Sequence, residues 1–139
     1  MWDRIHVMQR VCEELSCSSK GVTQILKEID GPSYSTVKLW QSEDEELSAK
    51  YVRAKLAQAE YLAQQIIDIA DEEPMMSESE GGARVDSGFE TWRKTRIDAR
   101  KWTASKLLPH KYGDKIAHTG ENGGTIDMSL SITFVSPKQ

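Results

Sequence analysis

The sequence predicts a mainly α protein in three parts. An N-terminal helix-turn-helix domain comes first, then a central long antiparallel helical hairpin for oligomerisation, then a C-terminal single β-strand contributing to an intersubunit barrel. Three observations carry this reading. Apolar residues recur at spacings of three and four from Ile5 to Leu108, which is the helical period. Asp30-Gly31-Pro32-Ser33 interrupts that pattern with turn chemistry. From Thr125 to Phe134 apolar and polar residues alternate without a fault, which is the period of a strand. The expected parts are residues 1–42, 43–112 with a loop over 74–85, and 113–139 with a strand over 125–135.

Composition bounds what such a chain can be. With 139 residues, 38% of them apolar and 29% charged, each part has a thin core that subunit contacts would have to complete. No apolar run approaches bilayer length, and Met1 to Arg10 holds Asp3 and Arg4 among scattered apolar residues. The sequence therefore predicts neither a membrane span nor a secretory signal, and places the chain in the cytoplasm. Cys12 and Cys17 read as buried or half-buried thiols, and His6, His110 and His118 lie too far apart for zinc-type spacing. A net charge of −4 argues against indiscriminate coating of DNA. The charge is uneven, with eleven acids and three bases over 43–80, and seven bases and two acids over 89–111. These segments are expected to pair within or between subunits, or else the basic one faces DNA.

Taken in order, Asp3 caps a first helix that turns Ile5, Met8, Cys12 and Leu15 to one side. Ser18 or Ser19 caps a second, with Val22, Ile25 and Ile29 inward. In the turn, Gly31 is expected to supply positive φ, Pro32 to end the helix before it, and Ser33 to cap the next. The third helix, from about Tyr34 to Gln41, buries Val37 and Trp40 and presents Ser33, Tyr34, Ser35, Thr36, Lys38 and Gln41 outward. Those side chains bond phosphates or read base edges, so they are the candidate DNA-binding residues. Residues 1–42 hold five bases and five acids, so a single module should bind weakly and needs others on the same frame. A small helical bundle for protein contacts is the plainer alternative.

A long helix follows from about Asp44 to Glu73, its acidic start suited to the helix dipole. Val52, Leu56, Ala59, Ala63, Ile66 and Ala70 form the seam expected to oligomerise. Tyr51, Tyr61, Leu62 and Ile69 lie outside it, so the helix should be covered on more than one side. Pro74 breaks the helix, and Met75 to Gly82 reads as a polar loop. A second long helix runs from about Asp86 to Leu108 and folds back on the first, with Trp102 packing the hairpin and Pro109 ending it. In the tail, Ile126, Met128, Leu130, Ile132 and Phe134 form the apolar face of the strand. One strand alone leaves both edges unpaired, so neighbouring copies would complete it as a closed barrel.

Phosphate-cradling loops, H-E-x-x-H and G-x-S-x-G are absent from the sequence. The sequence thus predicts no enzyme, no cofactor, and no catalytic, cofactor-binding or metal residue. Asp71-Glu72-Glu73 reads as solvated charge at a helix end.

Arg96-Ile97-Asp98-Ala99-Arg100-Lys101-Trp102, followed by Leu108-Pro109-His110-Lys111-Tyr112-Gly113-Asp114-Lys115, closely resembles a stretch of the small terminase subunits of tailed double-stranded DNA phages. Ser35-Thr36-Val37 with Trp40, and then Lys50-Tyr51, is similar to that family's passage from helix-turn-helix to central helix. The resemblance implies a homo-oligomeric ring in the host cell cytoplasm, with DNA-binding domains on its rim and a strand barrel on its axis. It implies recognition of the packaging site on concatemeric phage DNA and delivery of that DNA to the large terminase subunit, an ATPase and nuclease that the ring regulates. It also implies that Val135 to Gln139 lie where the large subunit docks. The N-terminal domain departs from the family's pattern in not being basic. Two other readings stay open at this point: a dimeric helix-turn-helix transcription regulator, and a structural ring or adaptor that binds no DNA.

Overall fold

The computed structural model describes residues 1–114. Six helices and one β-hairpin occur among them: α1 (Arg4–Cys17), α2 (Val22–Glu28), α3 (Tyr34–Glu43), α4 (Glu45–Ala70), β1 (Met76–Ser79), β2 (Gly82–Val85), α5 (Ser87–Leu107) and α6 (Pro109–Tyr112). The expected tail strand, with Ile126, Met128, Leu130, Ile132 and Phe134, lies outside the described residues.

The helix starts follow from their caps. Asp3 Oδ1 accepts the Ile5 and His6 amides at 3.0 and 3.2 Å, and Asp44 Oδ1 accepts Leu47 N–H at 3.1 Å. Asp86 Oδ1 does the same for Phe89 at 2.6 Å. Neither Ser18 nor Ser19 caps α2, whose N-cap is Gly21. Ser18 instead donates back to the Glu14 carbonyl at 2.6 Å and so closes α1. In α1 the buried residues are Val7, Met8, Val11 and Leu15, while Ile5 is exposed and Cys12 half-buried. Both stripes share Met8 and Leu15, and the core lies on the Val7–Val11 side. Cys17 is exposed, against the expectation of a buried thiol.

The turn between α2 and α3 is a Schellman ending. Gly31 N–H donates to the Leu26 carbonyl at 2.7 Å and Asp30 N–H to that of Lys27 at 3.3 Å. The left-handed residue is Asp30, at φ 50°, rather than Gly31. Gly31 fits a tight spot, since a Cβ there would stand 3.2 Å from Ile29 Cγ1 and 3.3 Å from Leu26 Cδ2 and press on both side chains.

One core joins these helices: Val7, Met8, Val11, Leu15, Val22, Ile25, Leu26 and Val37, with Leu47, Tyr51 and Ala54 from α4. The helix-turn-helix unit thus reaches past residue 42, where the sequence reading ends it, and uses the first three turns of α4 as its fourth wall. Gln58 fastens this arrangement. Its side chain is buried, and Nε2 donates to the carbonyls of Ser18 and Lys20 at 3.1 and 2.9 Å.

Beyond Ala54, α4 packs antiparallel against α5, as expected. Leu62, Ile69 and Ala104 are buried between them, with Ile66 and Ile97 half-buried. The opposite charges of the two segments meet here. Arg96 Nη1 lies 2.9 and 3.0 Å from the two oxygens of Glu72, and Arg100 Nε donates to Gln65 Oε1 at 2.8 Å. Arg93 donates to the Glu72 carbonyl at 2.6 Å, just past the C-terminal end of α4, where a cation suits the helix dipole. Arg93, Arg96 and Arg100, spaced by three and four, thus form one inward polar row.

Two expectations for the hairpin fail. The 74–85 segment is not a loop but an antiparallel pair, Met76 opposite Val85 and Ser79 opposite Gly82, closed around Glu80-Gly81. Gly82 takes φ 102°, a conformation that a side chain would strain. The polar strand residues, exposed on nearly every side, gave no alternation to read. Trp102 does not pack the hairpin either; it is 65% exposed, because Ala104 and Arg100 take the inward face. Among the described residues no helix is long and apolar enough to cross a membrane.

Candidate nucleic-acid interface

The N-terminus of α3 gathers five of the six residues picked from sequence. Ser33 caps the helix, its Oγ accepting Thr36 N–H at 3.4 Å. The same oxygen lies 2.8 Å from Ser35 Oγ and 3.0 Å from Thr36 Oγ1, so three hydroxyls form one cluster over the first turn. Ser33, Tyr34, Ser35 and Lys38 are exposed and Thr36 is half-buried. Exposed hydroxyls and backbone amides at a helix N-terminus are of the kind that bond phosphate oxygens, and here the hydroxyls bond one another.

Gln41 does not belong to this surface. Its Nε2 is buried with no partner among the described residues. The reason is periodic: Gln41 stands four residues after the fully buried Val37, and such pairs share a face.

Two further groups shape the patch. Lys38 Nζ sits 5.7 Å from the centroids of both the Tyr34 and Tyr51 rings, a cation–π contact that limits where the ammonium points. Burial, and then the neighbouring Tyr34, pushes the Tyr51 hydroxyl up to about 12, so it stays neutral. The sequence reading missed Tyr51 because it lies on α4, although its being apolar outside the seam was a signal. On the other side, a crevice of about 430 Å³ between α2 and α3 is lined by Thr23, Lys27, Asp30, Ser33 and Tyr34 among others. Thr23 and Lys27 are exposed one turn apart on α2, the helix that crosses the backbone in helix-turn-helix docking. That spacing is legible in the sequence. Asp30 on the rim and the ion pair of Lys20 with Glu28 at 2.6 Å keep the domain from being strongly basic.

The expected oligomerisation seam is divided by the fold. Val52 and Leu56 are exposed, Ala63 and Ile66 half-buried, and Ala59 is fully buried inside its own chain. Ala59 therefore offers nothing to a neighbour. A strict seam takes every third or fourth residue, but α4 bears the helix-turn-helix core first and α5 later, so its buried face rotates along its length.

At the hairpin's other end Pro109 opens the short helix α6 as well as ending α5. Lys111 Nζ and the Tyr112 hydroxyl both donate to Glu60, at 2.6 Å each. These two donors, Lys111 first, hold the Glu60 carboxyl below the usual carboxylate range, while Glu60 pushes the Lys111 ammonium up. A carboxyl lowered on folding contributes stability above roughly pH 4.3 and loses it as pH falls through its folded value. A raised ammonium contributes below roughly pH 10.4 and loses that as pH rises through its own folded value. The clasp is expected to hold between those limits and to release in acid. Amide exchange at Lys111 to Gly113, compared at pH 7 and pH 3 after correction for intrinsic rates, checks this; equal protection would contradict it.

These features have counterparts in known proteins. A family model described as bacteriophage Sf6, terminase small subunit-like, matches residues 4–119. Three solved structures of point variants of the terminase small subunit gp1 of the bacterial virus Sf6 are similar, at 28–29% identity and TM-scores of 0.66–0.67. The match covers 92–93% of this chain and 92% of each of theirs. No curated protein matches. A model spanning most of the chain, from the first turn of α1 past the end of α6, together with solved structures alike in fold over nearly their whole length, establishes that this chain belongs to the Sf6 terminase small subunit-like family of phage DNA packaging.

Proposed function

We propose that the protein is a ring-forming small terminase subunit, without catalysis of its own. It recognises the packaging site on concatemeric double-stranded phage DNA, presents that DNA to the large terminase ATPase/nuclease, and regulates it. The observation that supports the DNA-binding part is the largely exposed patch at the start of α3, where Ser33, Tyr34, Ser35, Thr36 and Lys38 converge just after the tight turn that joins α2 to α3. One patch with a single lysine is a weak site at physiological salt. Several patches held on one ring would multiply that affinity through effective concentration. The ring uses exposed surface on α4, including Val52 and Leu56 with the half-buried Ala63 and Ile66. The tail residues Ile126, Met128, Leu130, Ile132 and Phe134 are proposed to complete it as a barrel.

Replacing Tyr34 and Lys38 together by alanine is expected to weaken binding to fragments of the cognate phage genome by roughly 10–100-fold, the worth of one good reading contact plus one phosphate contact. Fluorescence anisotropy at low and moderate salt measures it, with the oligomer mass unchanged as control. Undiminished affinity would move the DNA site off α3.

A further inference from the structure

Lys38 is the one base of α3, and the fold restricts where its charge can lie. Tyr34 and Lys38 stand four residues apart and so share a side of the helix. Lys38 Nζ lies 5.7 Å from the centroid of the Tyr34 ring, one turn back, which brings the ammonium toward the first turn of α3. It lies equally far from the Tyr51 ring of α4. Among the described residues Lys38 forms no ion pair, whereas Lys20 and Lys50 of the same domain each hold a carboxylate. With no carboxylate competing for the ammonium, the two ring faces set its position.

The two rings differ in what holds them. Tyr34 is 42% exposed, but Tyr51 only 9%, as a member of the core that also contains Val37 and Leu47. Val37, the residue before Lys38, is fully buried there, so the backbone under the lysine and the Tyr51 ring belong to one packed unit. Burial pushes the Tyr51 hydroxyl up to about 12. At neutral pH the ring therefore meets the ammonium as a π face rather than as a phenolate. Because Tyr51 stands on α4, the position of the lysine is set from outside the helix that carries it.

That constraint changes what a lysine can do. On a bare helix it swings on a flexible four-carbon stem and serves phosphates as a point charge. Held near the start of the helix, it offers its donors in a narrow range of directions. Residues at that end of the second helix of a helix-turn-helix are the ones that meet base edges. Attraction for phosphates needs only the charge, whereas telling bases apart needs the charge in one place.

We propose that Tyr51 is a positioning residue for DNA reading: with Tyr34 it holds the Lys38 ammonium beside the first turn of α3, where it donates to acceptors on a base edge, such as O6 and N7 of a guanine. This assignment rests on the DNA-binding reading above and divides the work within it. Lys38 supplies the charge and Tyr51 its direction. Tyr51 thus governs how well sequences are told apart, and not how strongly DNA in general is attracted.

Two measurements on the full-length chain test it. Reductive methylation with isotopically labelled formaldehyde keeps the lysine charges and makes each lysine visible by NMR. In the DNA-free parent the Lys38 methyl resonance, identified by its loss in Lys38→Arg, should lie upfield of the ordinary lysine position because of the two ring currents. Tyr51→Leu should return it most of the way, and Tyr51→Phe should leave it in place. In fluorescence anisotropy, the phage-genome fragment that the parent binds best is compared with a duplex of the same composition in shuffled order. Tyr51→Leu should lower the ratio of the two affinities by about three- to tenfold. The salt slope should not change, since no charge is removed, and Tyr51→Phe should keep the parent ratio. A Lys38 resonance at the ordinary position in the parent would overturn the assignment whether or not the leucine variant folds. So would a folded Tyr51→Leu chain that keeps the parent ratio, or one that weakens on both duplexes alike, which would make Tyr51 a packing residue only. Undiminished binding by the Tyr34–Lys38 double alanine variant would instead remove the DNA reading of α3 itself.

Discussion

Gln58→Leu is expected to lower the unfolding free energy by roughly 2–4 kcal/mol, the cost of leaving two part-buried acceptors without their donor. In the native chain Gln58 Nε2 serves the carbonyls of Ser18 and Lys20, which end α1 and lead into α2. Its Oε1 accepts Lys55 Nζ at 2.7 Å, so the amide is fixed in orientation. Leucine has nearly the right shape, and the loss is therefore of hydrogen bonds rather than of packing. Because the bonds span some 40 residues of chain, the connection between α1 and α2 should also loosen on α4. Urea unfolding of the variant measures the first effect and amide exchange over residues 18–22 the second. An unchanged midpoint would mean that water satisfies both carbonyls as well as the glutamine does.

The second large effect is expected from Gly113→Ala. A Cβ at this position would stand 2.5 Å from the Pro109 carbonyl oxygen and 3.1 Å from Pro109 Cα. Both are backbone atoms of the same short turn and have no side-chain freedom with which to retreat. The φ of −79° is ordinary, so the need for glycine is one of space and not of left-handed backbone. Alanine should open α6 at a cost of about 1–3 kcal/mol, the usual scale of such local strain. Opening withdraws Lys111 and Tyr112 from Glu60 and changes where the tail leaves the hairpin. Faster exchange at Lys111 and Tyr112 together with a lower melting temperature is the expected pair of results. If α6 stays protected, the turn has relaxed around the methyl group.

The motif residues from Arg96 to Gly113 acquire separate physical tasks in this structure. Arg96 joins α5 to Glu72 and lies 4.3 Å over the Trp92 ring. Asp98 accepts Lys94 on the exposed side of the helix. Arg100 reaches Gln65, Lys111 and Tyr112 reach Glu60, and Gly113 makes the turn possible. Trp102, 65% exposed, has no partner inward. A strand of similar residues can thus be recognised as a unit although its members do unrelated work.

By itself the sequence determined where most helices begin and end, because those limits are set locally. Asp3, Ser33, Asp44 and Asp86 cap the helices that follow them, and Pro32 and Pro109 fall at breaks. It also determined the antiparallel hairpin, through two long periodic segments of opposite charge, and five residues of the α3 patch. What only the tertiary structure decided is which face of each helix meets which neighbour. Periodicity says that Val52, Leu56 and Ala59 lie near one another; it does not say that the chain covers Ala59 and leaves Val52 bare. Gln41 and Trp102 were misplaced for the same reason, since each sits at a position whose direction depends on what packs beside its helix. Helical period fixes relations within an element, whereas burial is a relation between elements, and only the packed chain contains it.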